Sequence, residues 1–296
     1  MTSQRAWLPA YTALVLIWGL SFLFNSLALR AFTPVQLTWG RVLLGGATLG
    51  LVLLASRSRP AVARRDLGDL VVLAVTLSAA PFLLIALAQE RITSILAGML
   101  NATTPLWAML FVALLVPAER PGRRQVAGVL VGLVGIGVLL GAWRIDAVDW
   151  VGTAAMLGAT ACYGFGSAWS RLRLTSTGLS GTALSAVQLS LAALLLTPLM
   201  LAGAPWPTPS AALPWPVVAV LMLGVFGAGL AYVLFWRVIR SAGALVATTV
   251  TYVIPLVSTA AGVLVLGEPL VWHEPVGAVV VLAGVALTQA PDAGRR

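Results

Sequence analysis

The sequence predicts an all-α integral membrane protein of ten transmembrane helices, built as two inverted five-helix repeats with both termini cytoplasmic. Three observations carry this prediction. First, 60% of the 296 residues are apolar and only 9% are charged, with a mean hydropathy of +0.99. Soluble domains carry about 25% charged residues, so a soluble globule could not cover this much apolar surface. Second, the arginines alternate between loops. Third, the chain resembles itself at an offset of half its length.

The runs are taken in order. The first, 8–29, follows Arg5 and is too long for the apolar core of a signal peptide, so it is read as a retained helix. Runs 35–55, 68–88, 94–116 and 125–143 complete the first unit, residues 1–144. Runs 150–170, 181–203, 214–236, 243–266 and 272–290 form the second unit, residues 145–296. Each is close to the roughly 20 residues that cross about 30 Å of hydrocarbon. Segments such as 49–55 and 126–140 do not alternate apolar and polar residues as membrane β-strands do.

The chain has 18 Arg and no Lys. Sorting the loops alternately puts Arg5, Arg57, Arg59, Arg64, Arg65, Arg120, Arg123, Arg124, Arg171, Arg173, Arg237, Arg240, Arg295 and Arg296 on one side. The other side receives Arg30, Arg91 and Arg144, and Arg41 lies within the second run. Basic residues favour the cytoplasmic side, which orients both termini inward. The net charge of +9 is therefore a topology signal, with anionic lipid of the bilayer as its natural partner and no nucleic acid implied. Arg without Lys, beside abundant Ala, Gly, Leu and Val, suggests a GC-rich bacterial genome and hence a bacterial plasma (inner) membrane.

Residues 88–141 resemble residues 238–289. Arg91 matches Arg240, Pro105 matches Pro255, and Glu119 with Pro121 matches Glu268 with Pro269. Gly128 and Gly135 match Gly277 and Gly284. Because five helices are an odd number, the second unit must enter the membrane upside down. That is the inverted-repeat design of secondary transporters, with substrate near the midplane between the halves.

Several motifs in order now carry a specific resemblance. They are Trp18–Gly19, Arg41, Ser94 through Pro105 leading to Glu119, Tyr163–Gly164, Gly224–Val225–Phe226–Gly227 with Ala231–Tyr232, and Pro255 leading to Gly267–Glu268–Pro269. Together they resemble the drug/metabolite transporter superfamily, in its EamA-type ten-helix branch, over nearly the whole chain. The resemblance implies two inverted five-helix repeats around a central cavity. It implies export of amino acids or other metabolites, and it leaves the substrate open.

The polar residues within the runs are the candidate site, because ionisable and polar groups are costly in a membrane. No carboxylate lies at a bilayer centre, and helix 1 offers Trp18, Ser21 and Asn25 where small multidrug relatives use a glutamate. A carboxylate-based drug/proton antiporter is thus disfavoured. Arg41 lies about 10 Å deep at 1.5 Å per residue. It is read either as a bidentate partner for a substrate carboxylate or phosphate, or as a side chain that snorkels or binds neighbouring carbonyls. Gln188 is its neutral counterpart in the second unit. Asn101, Thr103, Thr104 and Pro105 in run 4, and Thr248, Thr249, Thr251, Tyr252 and Pro255 in run 9, join polar groups to a helix-breaking residue. Such paired interruptions point to a midplane site, or to packing kinks alone. Trp18, Trp107, Tyr163, Tyr232 and Tyr252 are deep enough to wall a small-solute cavity. Trp39, Trp169 and Trp236, with Trp7, Trp143, Trp150, Trp215 and Trp272 at span ends, are read as interfacial.

The glycines of run 5 (Gly128, Gly132, Gly135, Gly137, Gly141) with Gly277 and Gly284 read as a packing seam. Enzyme chemistry has little to work with. There is one Cys, Cys162, and one His, His273, and Ser167 after Gly164 and Gly166 has no evident base. Neither a metal site nor a nucleotide or other cofactor site is expected. A channel lacks any filter-like or ring-charge motif. The expected function is export of small metabolites, amino acids or similar zwitterions, by a monomeric carrier. A multidrug or other organic-solute efflux carrier is the alternative.

Overall fold

The computed structural model describes residues 7–58, 60–115, 122–141, 143, 148–174, 177–203, 205–206 and 214–289. Arg59, Glu119, Arg120, Pro121, Arg144 and the terminal arginines lie outside the described residues. Among the described residues the chain is helical, without strands. The helices are α1 (Leu8–Ala28), α2 (Pro34–Ala55), α3 (Arg64–Gln89), α4 (Ser94–Leu115) and α5 (Arg123–Leu139). They continue as α6 (Trp150–Arg173), α7 (Gly181–Leu201), α8 (Pro214–Ala242), α9 (Val246–Leu266) and α10 (His273–Gln289). Seven of them (α1 to α4 and α7 to α9) are long and apolar enough to cross a membrane, and α10 contains a shorter apolar stretch.

Local chemistry starts several helices where the polar residues fall. Thr33 and Gln36 form a reciprocal capping box at α2. Thr93 accepts from the Leu96 amide at α4, Asp149 from Gly152 at α6, and Ser180 from Ala183 at α7. These contacts satisfy amides that the first helical turn cannot pair internally.

Side-chain ties show which helix ends meet. Arg173 pairs with Asp69 at 3.4 Å, and the Tyr11 hydroxyl meets that of Thr249 at 2.9 Å. These join the start of α1 and α3, the finish of α6 and the start of α9 at one end of the bundle. At the other end Arg91 pairs with Asp149 at 3.6 Å, Gln36 donates to the Pro205 carbonyl, and His273 meets the Leu139 carbonyl at 3.0 Å. The first end carries Arg57, Arg64, Arg65, Arg123, Arg124, Arg171, Arg173, Arg237 and Arg240, and is called here the arginine end. The second carries Arg30 and Arg91 among the described residues. Helix α1 starts at the arginine end and α6 starts at the other, so corresponding helices run in opposite directions.

The packing follows the same inversion. Helix α1 packs on α8 and α9, while its counterpart α6 packs on α3 and α4. Helix α2 packs on α7 and α8, and α7 packs on α2 and α3. The two repeats are therefore interleaved. Helices α5 and α10 pack on each other most extensively. A methyl group at Gly277 would overlap the Leu139 backbone, and one at Gly135 would stand 2.6 Å from the Val281 nitrogen. Small residues thus bring these two backbones into contact, as in other close membrane-helix pairs.

Both halves also interrupt the α-helix at matching places. Helix α3 widens into a π-helix at Val75–Ala79, and α8 does so at Met222–Leu230. Such wide turns displace carbonyls from the regular hydrogen-bond ladder. Helix α4 breaks at Ala102–Thr103, just before Pro105, and α9 breaks at Thr249. The two prolines are not equivalent in detail. Pro105 opens the segment Thr104–Leu115, whereas Pro255 lies inside the segment Val250–Ala261.

Candidate functional site: a central cavity with an open-handed arginine

A cavity of about 550 Å³ lies between the repeats. That falls within the range of small-molecule sites. Its mouth is formed by the exposed Ser167, Arg171 and Thr248 towards the arginine end. Its floor is formed by the buried Ser21, Phe22, Asn25, Arg41 and Asn101. The cavity therefore opens at the arginine end and is closed at the other.

Helix α1 gives the cavity its aromatic wall. Trp18 donates from Nε1 to the Gly227 carbonyl at 3.1 Å. That carbonyl belongs to the π-helical part of α8, so the wide turn supplies the acceptor. The Trp18 ring meets Tyr232 edge-on at 6.3 Å and Phe235 at 5.5 Å. Tyr163 from α6 completes the wall and meets Phe82 edge-on at 6.4 Å.

Arg41 is the unusual residue. It is 5% exposed, and its guanidinium lies 3.8 Å above the Phe82 ring. Cation–π contact of this kind contributes about 2 kcal/mol when desolvated. Among the described residues the guanidinium has no hydrogen-bond acceptor and no carboxylate partner, and its Nε is fully enclosed. Buried polar groups are nearly always hydrogen-bonded, and buried charges nearly always paired. Asn25 and Asn101, 2% and 7% exposed, also line the floor. Three polar side chains thus keep hydrogen-bonding capacity towards one cavity.

Of the residues expected from sequence, Trp18, Asn25, Arg41, Asn101, Thr104, Pro105, Tyr163, Tyr232 and Thr251 line the cavity together. Four do not, each for a packing reason. Trp107 faces α6, where its Cβ fills the space left by Gly164, and its ring stacks on Phe111. Gln188 is tied off by donating to the Ser78 hydroxyl at 2.7 Å, behind Tyr232. Tyr252 packs beside Leu106, Val281 and Val285 on the side of α5 and α10. Pro255 is buried within α9, where its carbonyl accepts from Ser258.

The sequence reading missed Phe82, Gly227 and Phe235. Phe82 directly follows Pro81 and sits beside the π-turn of α3, but a phenylalanine in an apolar run carries no distinguishing signal. Gly227 acts through its carbonyl, which only the wide turn of α8 makes available. Trp39 and Trp236, two of the tryptophans at span ends, are also pinned by hydrogen bonds. Trp39 donates to Thr197 at 3.0 Å and Trp236 to Ser185 at 3.0 Å.

The two repeats each match the model of one family, the EamA-like transporter family, over residues 6–141 and 150–289. The chain belongs to the EamA-like transporter family. It is accordingly a multi-pass membrane protein of a family that transports small solutes and is not a family of enzymes. A solved structure, described only as a crystal structure of a protein, aligns with 97% of this chain and 99% of its own at 23% identity, with a TM-score of 0.66. That likeness concerns the fold alone. No curated protein is significantly similar to the chain.

Proposed function

We propose that this family member is a secondary carrier that exports small carboxylate-bearing metabolites, amino acids or similar zwitterions first among them, by alternating access. The observation that carries the reading is Arg41, a buried cation with no carboxylate partner among the described residues, at the floor of a cavity between inverted repeats. A carboxylate seated there gains charge-assisted hydrogen bonds. Asn25 and Asn101 offer further polar contacts. Trp18, Tyr163, Tyr232 and Phe235 present ring faces to an ammonium group or an apolar side chain.

The positive-inside rule places the arginine end in the cytoplasm, with ten spans and both termini inside. The cavity then faces the compartment from which an exporter of a bacterial inner membrane collects its solute. The monomer holds a whole cavity, which supports function as a single chain. Exchanging the conformations of the two repeats would open the opposite end.

Counterflow in proteoliposomes tests the reading. Vesicles loaded with pools of unlabelled amino acids should accumulate a labelled trace of the transported one, in proportion to the internal pool. Asn101→Ala should reduce this flux without loss of membrane insertion. Absence of accumulation from every pool by folded protein would remove amino acids from the reading. Steady ion conductance in place of saturable exchange would make the protein a channel.

A further inference from the structure

Opposite the cavity mouth, the Glu268 carboxylate joins the repeats, at the end that also holds the Arg91–Asp149 ion pair. Gly267 turns the chain after α9 at a φ of +68°, a left-handed conformation that glycine adopts without steric cost. The next amide, of Glu268, donates back to the Gly262 carbonyl at 3.0 Å. This turn sends the Glu268 side chain across to the start of α4 in the other repeat. There Oε1 accepts from the Ser94 amide at 2.9 Å, while Oε2 accepts from the Ser94 hydroxyl at 2.8 Å and the Ile95 amide at 3.1 Å. Thr93 serves only the Leu96 amide. Helix α4 therefore relies on a residue of α9's loop to satisfy two of its first amides. The partial positive charge of a helix N-terminus adds to the attraction.

The contact is close because small residues line it. A methyl group at Gly262 would lie 2.7 Å from Glu268 Oε2 and 2.5 Å from Ile95 Cγ1. One turn further along α4, a methyl at Gly98 would overlap Ser258 of α9. Towards the arginine end the same two helices separate, and Thr104 and Pro105 face the cavity with Thr248 and Thr251. Helices α4 and α9 form a V whose apex is fastened by Glu268.

We infer that Glu268 is a latch between the repeats: its bonds to Ser94 and Ile95 hold the far end shut while the cavity is open at the arginine end, and they break when the far end opens. The inference rests on the alternating-access reading above. Opening that end returns the carboxylate to water and leaves the α4 amides to be hydrated. The latch thus biases the population of the two states without touching the solute.

Sided labelling tests this without any solute. In a Cys162→Ser background, Asn25→Cys puts a thiol on the cavity floor. A membrane-impermeant maleimide is applied to right-side-out and inside-out vesicles, and the ratio of labelling rates from the two faces is read. The protein without further change should label preferentially from the arginine face. Glu268→Gln keeps the shape but replaces charge-assisted bonds with weaker neutral ones, and should shift the ratio about ten-fold towards the other face. Ser94→Ala removes one of the three bonds and should shift it about two- to three-fold in the same direction. An unchanged ratio in both folded variants would overturn the latch and leave Glu268 a static cap. If Glu268→Gln does not fold, Ser94→Ala decides alone. Counterflow by the same Glu268 and Ser94 variants with Asn25 retained separates the two readings: active exchange with an unmoved labelling ratio removes the latch only, and absent exchange by the protein without further change removes the transport reading.

Discussion

Replacing Arg41 with Met should separate stability from function, moving them in opposite directions. The guanidinium is 5% exposed, unpaired among the described residues, and stacked 3.8 Å above Phe82. Burying an ion carries an effective penalty of several kcal/mol. Stacking returns about 2 kcal/mol of this. A residual penalty of about 1–2 kcal/mol then remains, one that a methionine of similar length does not carry. At roughly 2–4 °C per kcal/mol for a chain of this size, Arg41→Met should melt about 2–8 °C higher, as followed by tryptophan fluorescence in detergent. The same variant should bind a carboxylate-bearing solute more weakly. Charge-assisted hydrogen bonds are worth roughly 1.5–3 kcal/mol each, so the apparent KM for counterflow should rise about ten- to hundred-fold. A melting temperature that falls by several degrees would refute the reasoning, because it would mean that the guanidinium stabilises the bundle. Unchanged counterflow kinetics would refute the site.

Three further outcomes are expected. Phe82→Leu removes the ring beneath Arg41 while keeping an apolar residue; KM should rise several-fold with little change in maximal rate, whereas an equal fall in both would point to a folding defect. In the seam between α5 and α10, Gly277→Ala should destabilise by about 1–3 kcal/mol through overpacking against the Leu139 backbone. Gly137→Ala, with open space around it, should be neutral or stabilising by about 0.5–1 kcal/mol, and equal thermal shifts in the two variants would sink the seam. Gln188→Leu leaves the buried Ser78 hydroxyl without its 2.7 Å donor and should lower stability by about 1–3 kcal/mol, with KM unchanged if Gln188 stands outside the cavity.

The helical runs were legible because hydrophobic length is a one-dimensional property. Each helix of the described chain falls on a run read from composition, and the two matches to one family coincide with the internal repeat. Polar residues in those runs were weaker pointers. Asn25, Arg41 and Asn101 line the cavity, while the buried Gln36, Gln89 and Gln188 of the same runs are bonded to neighbouring groups instead. Helix rotation was not legible. Gln188 and Arg41 occupy corresponding places in their repeats, yet Gln188 is satisfied by Ser78 while Arg41 is not. Tyr252 and Thr251 are neighbours on α9, and only Thr251 lines the cavity. Backbone contributions were also hidden. The Gly227 carbonyl becomes an acceptor for Trp18 because α8 widens locally, and no side chain announces that. Equating Pro105 with Pro255 failed in detail, because the sequence shows where a proline is but not which neighbouring turn yields.

The unequal treatment of Arg41 and Gln188 has a consequence for the resting protein. Under the proposed alternating access, two identical halves would make the inward- and outward-facing forms two-fold-related conformers of equal energy, populated one to one. Here one half holds an unsatisfied charge and the other a closed polar contact. Exchanging their conformations therefore exchanges different chemistries, and the degeneracy is lifted. An empty molecule would then idle in one orientation, and an anion that paired with Arg41 would reset the balance by the difference in its affinity for the two.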